Sequence, residues 1–246
     1  MRQGPILAVV GGLVFVGVAV ATLPASLLVS HLPPDLTVEG VSGTVWNGGA
    51  DTISLRGAAL GSFSWEALPA SLFEGRLDYR IQVTRPDGYV RGRMGATGGG
   101  ALVGADIELG LPITALNPAF AANAWRGDVM GSIRSVRIET GWPVALTGTF
   151  TMSRLQPPGS VLEVGSYALE FDGSATTPTQ LVGRVRDVAA PLVVRAQLVV
   201  RRDRSYTLEG EVTPRPNAPP EVSNAVAFLG APDAAGRRAF IITGTF

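Results

Sequence analysis

Reactive side chains are scarce in this sequence, and their types and spacing bound its chemistry. His31 is the only histidine and cysteine is absent. A Ser-His-Asp triad in the folded domain, a two-histidine metal site, a thiol nucleophile and a disulfide framework are therefore all excluded. His31 falls between a long apolar run and Pro33-Pro34, the place of an exposed interfacial residue rather than of a catalyst. The carboxylates stand as isolated members of strand patterns, and nothing in the sequence pairs two of them as a glycosidase requires, so they read as solvated strand faces. Gly98-Gly99-Gly100 with Gly104 has the glycine content of a phosphate loop, but the chain contains no lysine to reach a phosphate. That segment reads as a bulged or bent connection, and Arg126-Gly127-Asp128, which matches an adhesion tripeptide, reads as a turn. No catalytic, cofactor-binding or metal-ligating residue emerges, and the expectation is a protein that is not an enzyme.

The most informative large side chains are the tryptophans Trp46, Trp65, Trp125 and Trp142. Beside Gly and Pro they suit a core or a sheet edge, whereas aromatics at a rim anchor partner proteins. Trp46, Asn47, Gly48, Trp65, Leu68 and Pro69 are the candidate partner-contact residues. Formal net charge is zero with 20 basic residues, all arginine, so nucleic-acid binding lacks the clustered positive excess it needs. With 46% hydrophobic and 16% charged residues, a sizeable core can be buried and one large domain is expected.

These residues are carried mainly by strands. Leu77, Tyr79, Ile81 and Val83 alternate with Asp78, Arg80, Gln82 and Thr84, and further alternation covers Val144–Met152, Tyr167–Phe171, Leu192–Val200 and Tyr206–Val212. Apolar-in, polar-out alternation at hairpin spacing predicts an antiparallel meander, curved and mainly β, with two or three short helices. Asn47-Gly48 is the expected hairpin turn, with Asp51–Leu60 returning as the partner strand. Helical segments are expected at Ala70–Phe73 closed by Gly75, at Ile113–Ala124, and after Pro219-Pro220 up to Gly230.

Ahead of the β-rich region lies Ile6–Leu23, a run with no charged side chain that covers about 27 Å as a helix and can cross a bilayer once. Arg2 precedes it, and the first charges after it are Asp35 and Glu39, so the amino terminus should stay cytoplasmic. The predicted organisation is a cytoplasmic terminus at residues 1–5, a transmembrane helix at 6–28, a tether at 29–35 and a β-rich domain at 36–246. Cleavage after Ala19-Val20-Ala21 by a signal peptidase is the competing reading; the length of the run favours an uncleaved anchor.

A family resemblance rests on the N-terminal span followed by Gly43-Thr44-Val45-Trp46-Asn47-Gly48 and by Trp65-Glu66-Ala67-Leu68-Pro69-Ala70-Ser71-Leu72, with Gly75 and Leu77 beyond. It continues through Gly210-Glu211-Val212-Thr213-Pro214-Arg215, Phe228-Leu229-Gly230, Pro232-Asp233 and Gly236-Arg237. In these motifs the chain resembles protein N of the bacterial type II (general) secretion pathway. The Trp65-Glu66-Ala67 stretch departs from the tighter form expected there, and the glycine-rich middle offers no match.

The resemblance implies a bitopic inner-membrane protein with its bulk in the periplasm. It also implies a role as a non-enzymatic accessory of the machine that exports folded proteins through the outer membrane, with the inner-membrane platform or the secretin as partners. The residues leave a second class open: a periplasmic carrier whose curved sheet holds a lipid or another apolar ligand on an incompletely covered face.

Overall fold

A computed structural model of the chain describes residues 18–29, 35–55, 57–116, 125–160 and 162–245. The alternating segments form strands β1 (Leu36–Glu39), β2 (Ser42–Gly43), β3 (Asn47–Leu55), β4 (Ala58–Leu68), β5 (Arg76–Arg85), β6 (Gly88–Thr97) and β7 (Leu102–Pro112). They continue as β8 (Arg126–Glu139), β9 (Trp142–Gln156), β10 (Gly165–Phe171), β11 (Gln180–Ala189), β12 (Leu192–Arg201), β13 (Ser205–Pro214) and β14 (Arg238–Thr245). All belong to one 14-stranded sheet whose order follows the sequence, with β2 placed beside β1 on the same margin of β3. Neighbours are antiparallel throughout, from β1 on β3 to β13 on β14. The expected meander is thus the observed one, ending in β1 and β14.

One face carries the apolar side chains. Its middle is filled by Trp142, Leu146, Phe171 and Leu181, with Phe150 and Leu198 against them. Phe150 meets Phe171 edge to face, with centroids 6.1 Å apart, a favoured aromatic geometry. Toward β14 the helix Pro220–Ala227 lays Val222 and Val226 on the sheet, where Val226 packs on Val194 and Val212. Among the described residues no large side chain falls below 2% exposure, as expected where a single sheet lacks a full second layer.

The opposite face carries charges paired across strands. Arg80 meets Glu66 at 2.5 Å and Arg91 meets Glu108 at 2.7 Å, each directly opposite its partner in register. Arg93 and Asp106 also pair. These carboxylates therefore serve as exposed cross-strand partners, screened by water and of little weight for stability.

Three expectations need correction. Arg126-Gly127-Asp128 is not a turn: it opens β8, with Arg126 opposite Gln156 and Asp128 opposite Ser153 on β9. Asn47-Gly48 is not a turn: both residues lie in β3, and the chain reverses one step earlier, at Thr44–Trp46. There the Thr44 hydroxyl accepts the Trp46 and Asn47 N–H groups at 3.3 and 3.1 Å, while the Thr44 N–H bonds the Asn47 carbonyl at 2.8 Å. Side-chain closure of this kind offers the backbone an alternative to an Asn-Gly turn. The predicted strand Asp51–Leu60 is correspondingly split, with Gly57 at φ +81° between β3 and β4. Pro69–Glu74 forms the expected short helix as a 3-10 turn closed by left-handed Gly75. Ile113–Leu116 is likewise 3-10, and the rest of the helix expected to Ala124 lies outside the described residues.

His31 and residues 6–17 of the apolar run also lie outside the described residues. Val18–Ala21 are helical, the chain turns at Thr22, and Ser26–Val29 makes one further helical turn. Among the described residues no helix is long and apolar enough to cross a membrane.

Candidate functional site

The six candidate residues come together at one corner of the sheet, because Asn47 and Gly48 pair with Glu66 and Trp65 and the Ala67 N–H bonds the Trp46 carbonyl at 2.6 Å. Trp65 is 8% exposed, and its indole N–H is shared between the Thr44 and Val45 carbonyls, 3.2 Å from each. Gly48 lies beneath that ring. A Cβ there would stand 2.5 Å from both Trp65 Cζ2 and the Ser42 carbonyl oxygen, so only glycine lets the strand run this close. Beyond Leu68, whose carbonyl accepts the Ser71 hydroxyl at 2.7 Å, exposed Pro69 opens the 3-10 turn.

Trp46 plays a different part. Its indole N–H donates to the Val20 carbonyl at 2.8 Å, and the flanking backbone continues the tie: Val45 N–H to Leu23 O at 2.9 Å, and Ala25 N–H to Gly43 O at 3.1 Å. Pro24 forms a bridge with Thr44. The corner thus joins the end of the N-terminal apolar run to the sheet. Of the two readings the tryptophans allowed, Trp65 is a core residue and Trp46 a half-buried link.

Behind the corner lies a cavity of about 640 Å³ on the apolar face, lined by residues from β1 and β3 to β7 and by Ala25. Leu36, Phe63, Trp65, Leu77, Tyr79 and Leu102 are among its walls. From β1 to β7 is five strand spacings, about 24 Å along the sheet; that both line one cavity shows how strongly the sheet curls. The alternation of Leu77, Tyr79 and Ile81 marked a buried face in the sequence, but curl is set by bulges and twist that alternation does not report. Burial raises the Tyr79 phenol above its ordinary pKa, so it is neutral at physiological pH. Among the described residues no group of three or more His, Cys, Asp or Glu side chains is placed to hold a metal ion.

Residues 34–240 match the family model of the type II secretion system (T2SS), protein N. The chain belongs to the type II secretion system protein N family. It is similar to the type II secretion system protein N of Aeromonas hydrophila, 26% identical over 249 aligned positions covering 96% of each chain. The protein of that name from Vibrio cholerae serotype O1 is 27% identical over 238 positions, covering 90% of each. No solved structure matches the chain. The family match begins at residue 34, two residues before β1, so it takes in the sheet side of the corner and the cavity strands of this protein N family member. As a family member the chain is a type II secretion component.

Proposed function

We propose that this protein N family member is a non-enzymatic accessory of type II secretion, held in the inner membrane by Ile6–Leu23 with its sheet in the periplasm. It assists export of folded proteins across the outer membrane by offering a free sheet edge to another component, in the inner-membrane platform or the secretin. The observation that carries this reading is the edge strand β14. Among the described residues it pairs on one side only, with β13, and it exposes Ile241 by 65% and Ile242 by 50%. An apolar edge of this length is a template for strand addition unless something covers it. The hydrogen bonds at the Trp46 corner support the anchor's part, since they make the segment leaving the apolar run continuous with the sheet.

The test is to place a photo-crosslinking residue at Ile241 in intact cells, with Gln82 on the charged face as control. Adducts with another secretion component from position 241 and not from 82 are expected. Absence of adducts, together with undiminished export of secreted proteins when the chain is deleted, overturns the reading.

A further inference from the structure

The cavity behind the Trp46 corner stands independently of the edge strand. Among the described residues its walls carry two side chains with hydrogen-bonding groups, Trp65 and Tyr79, and the Trp65 N–H is already taken by two carbonyls. A peptide main chain or a sugar placed inside would lose its water without gaining partners, a cost that a hydrocarbon does not incur. The volume of about 640 Å³ falls within the roughly 300–1,000 Å³ of ligand pockets. The walls are incompletely covered: Leu102 is 45% exposed and Ala96 is exposed as well.

The far end of the apolar face is closed by the helix Pro220–Ala227, and among the described residues no helix of comparable length lies over the cavity. The cavity's position then selects the occupant. Ala25, 2% exposed, forms part of the wall and follows the apolar run Ile6–Leu23 by two residues. On the reading proposed above, that Ile6–Leu23 lies in the inner membrane, a cavity joined to the end of that run opens within reach of the membrane's hydrocarbon.

We infer that this cavity is a binding site for an acyl chain of a membrane phospholipid, which lies across β3 to β7 and covers the apolar face that the sheet leaves open. The test uses the full chain in nanodiscs of phosphatidylethanolamine carrying a diazirine on one acyl chain, photolysed and mapped by mass spectrometry. Label is expected on peptides containing Leu77–Ile81 and Met94–Leu102. Ala96→Trp, which fills the space from an exposed position, lowers that label at least tenfold. Leu102→Arg does the same by charge, and Gln82→Trp on the opposite face leaves it unchanged. Label confined to residues 1–29, equal label in Ala96→Trp and Leu102→Arg chains that melt as the parent does, or label of the cavity by free diazirine-palmitate alone overturns the inference. So does label that enters the cavity only after residues 1–17 are removed, since the chain's own apolar segment would then be the occupant. Crosslinking from Ile241 is a separate readout, so failure here leaves the edge-docking proposal standing.

Discussion

Replacing Gly48 by alanine tests the corner with a single methyl group. The added Cβ meets the Ser42 carbonyl and Trp65 Cζ2 at 2.5 Å each, inside any ordinary contact, so either β2 must leave β3 or the indole must move. Overpacking of this kind costs about 1–3 kcal/mol. If the indole moves, the hydrogen bond it shares between the Thr44 and Val45 carbonyls is lost, adding about 1 kcal/mol. The sum, about 2–4 kcal/mol, lowers the melting temperature of a domain of this size by roughly 5–15 °C. Gly98→Ala is the control, since a Cβ there meets nothing within 4 Å, and its melting point should stay within about 2 °C of the parent. Thermal unfolding by circular dichroism, with tryptophan emission as a second signal, reads both. A Gly48→Ala protein that melts within about 2 °C of the parent with unchanged emission refutes the close packing of Trp65 on Gly48.

Asp187 supplies a pH-dependent case. Burial pushes its carboxyl up, but the Val194 N–H at 3.0 Å and the Arg215 guanidinium at 2.5 Å outweigh burial and leave the pKa below the ordinary value. Asp187→Asn should therefore cost about 1–3 kcal/mol at neutral pH. In urea titrations that difference from the parent stays full above about pH 4 and shrinks as pH falls through the lower folded value. Burial raises Tyr167 to about 12, so its phenolate should form after the ordinary step near about pH 10, and Tyr167→Phe should remove that late step from the ultraviolet titration. Val226→Ala removes a side chain 5% exposed that packs on Val194 and Val212, and calorimetry should show a loss of about 2 kcal/mol. N-terminal sequencing of the protein from cells should return the uncleaved chain; a terminus at Thr22 would replace the anchor with a signal peptide.

The sheet was legible wherever one face is apolar and the other polar, as in Leu77–Val83, because a period of two has no other stable reading. Pro219-Pro220 and Gly230 bracketed the last helix for equally local reasons. What escaped was decided by contacts distant in sequence. Asn47-Gly48 has the composition of a turn, yet Trp65 takes up the space above Gly48 and the Thr44 hydroxyl closes the chain earlier. Asp106 and Arg154 adopt φ of +50° and +52°, where β7 and β9 shift register against their neighbours. Neither residue type announces a bulge, so the sequence supports a curved sheet but does not say at which residues the strands bend. The burial of Trp65, and with it the choice between core and contact residue, depends on β3 and β5 flanking it.

The unbroken sequential order of the strands bears on how the molecule is made. From β3 onward each strand finds its partner in the segment synthesised just before it, so contacts are short in sequence and loop-closure costs stay low. Growth can proceed hairpin by hairpin from the amino-terminal end while later residues are still absent. The walls of the cavity all lie between Ala25 and Leu102, and that end of the molecule can be shaped before Trp142, Phe171 or the closing helix exists. The Pro220–Ala227 helix, which packs on Val194 and Val212, can be added only after β12 and β13 are in place, so the apolar face is closed at that end last.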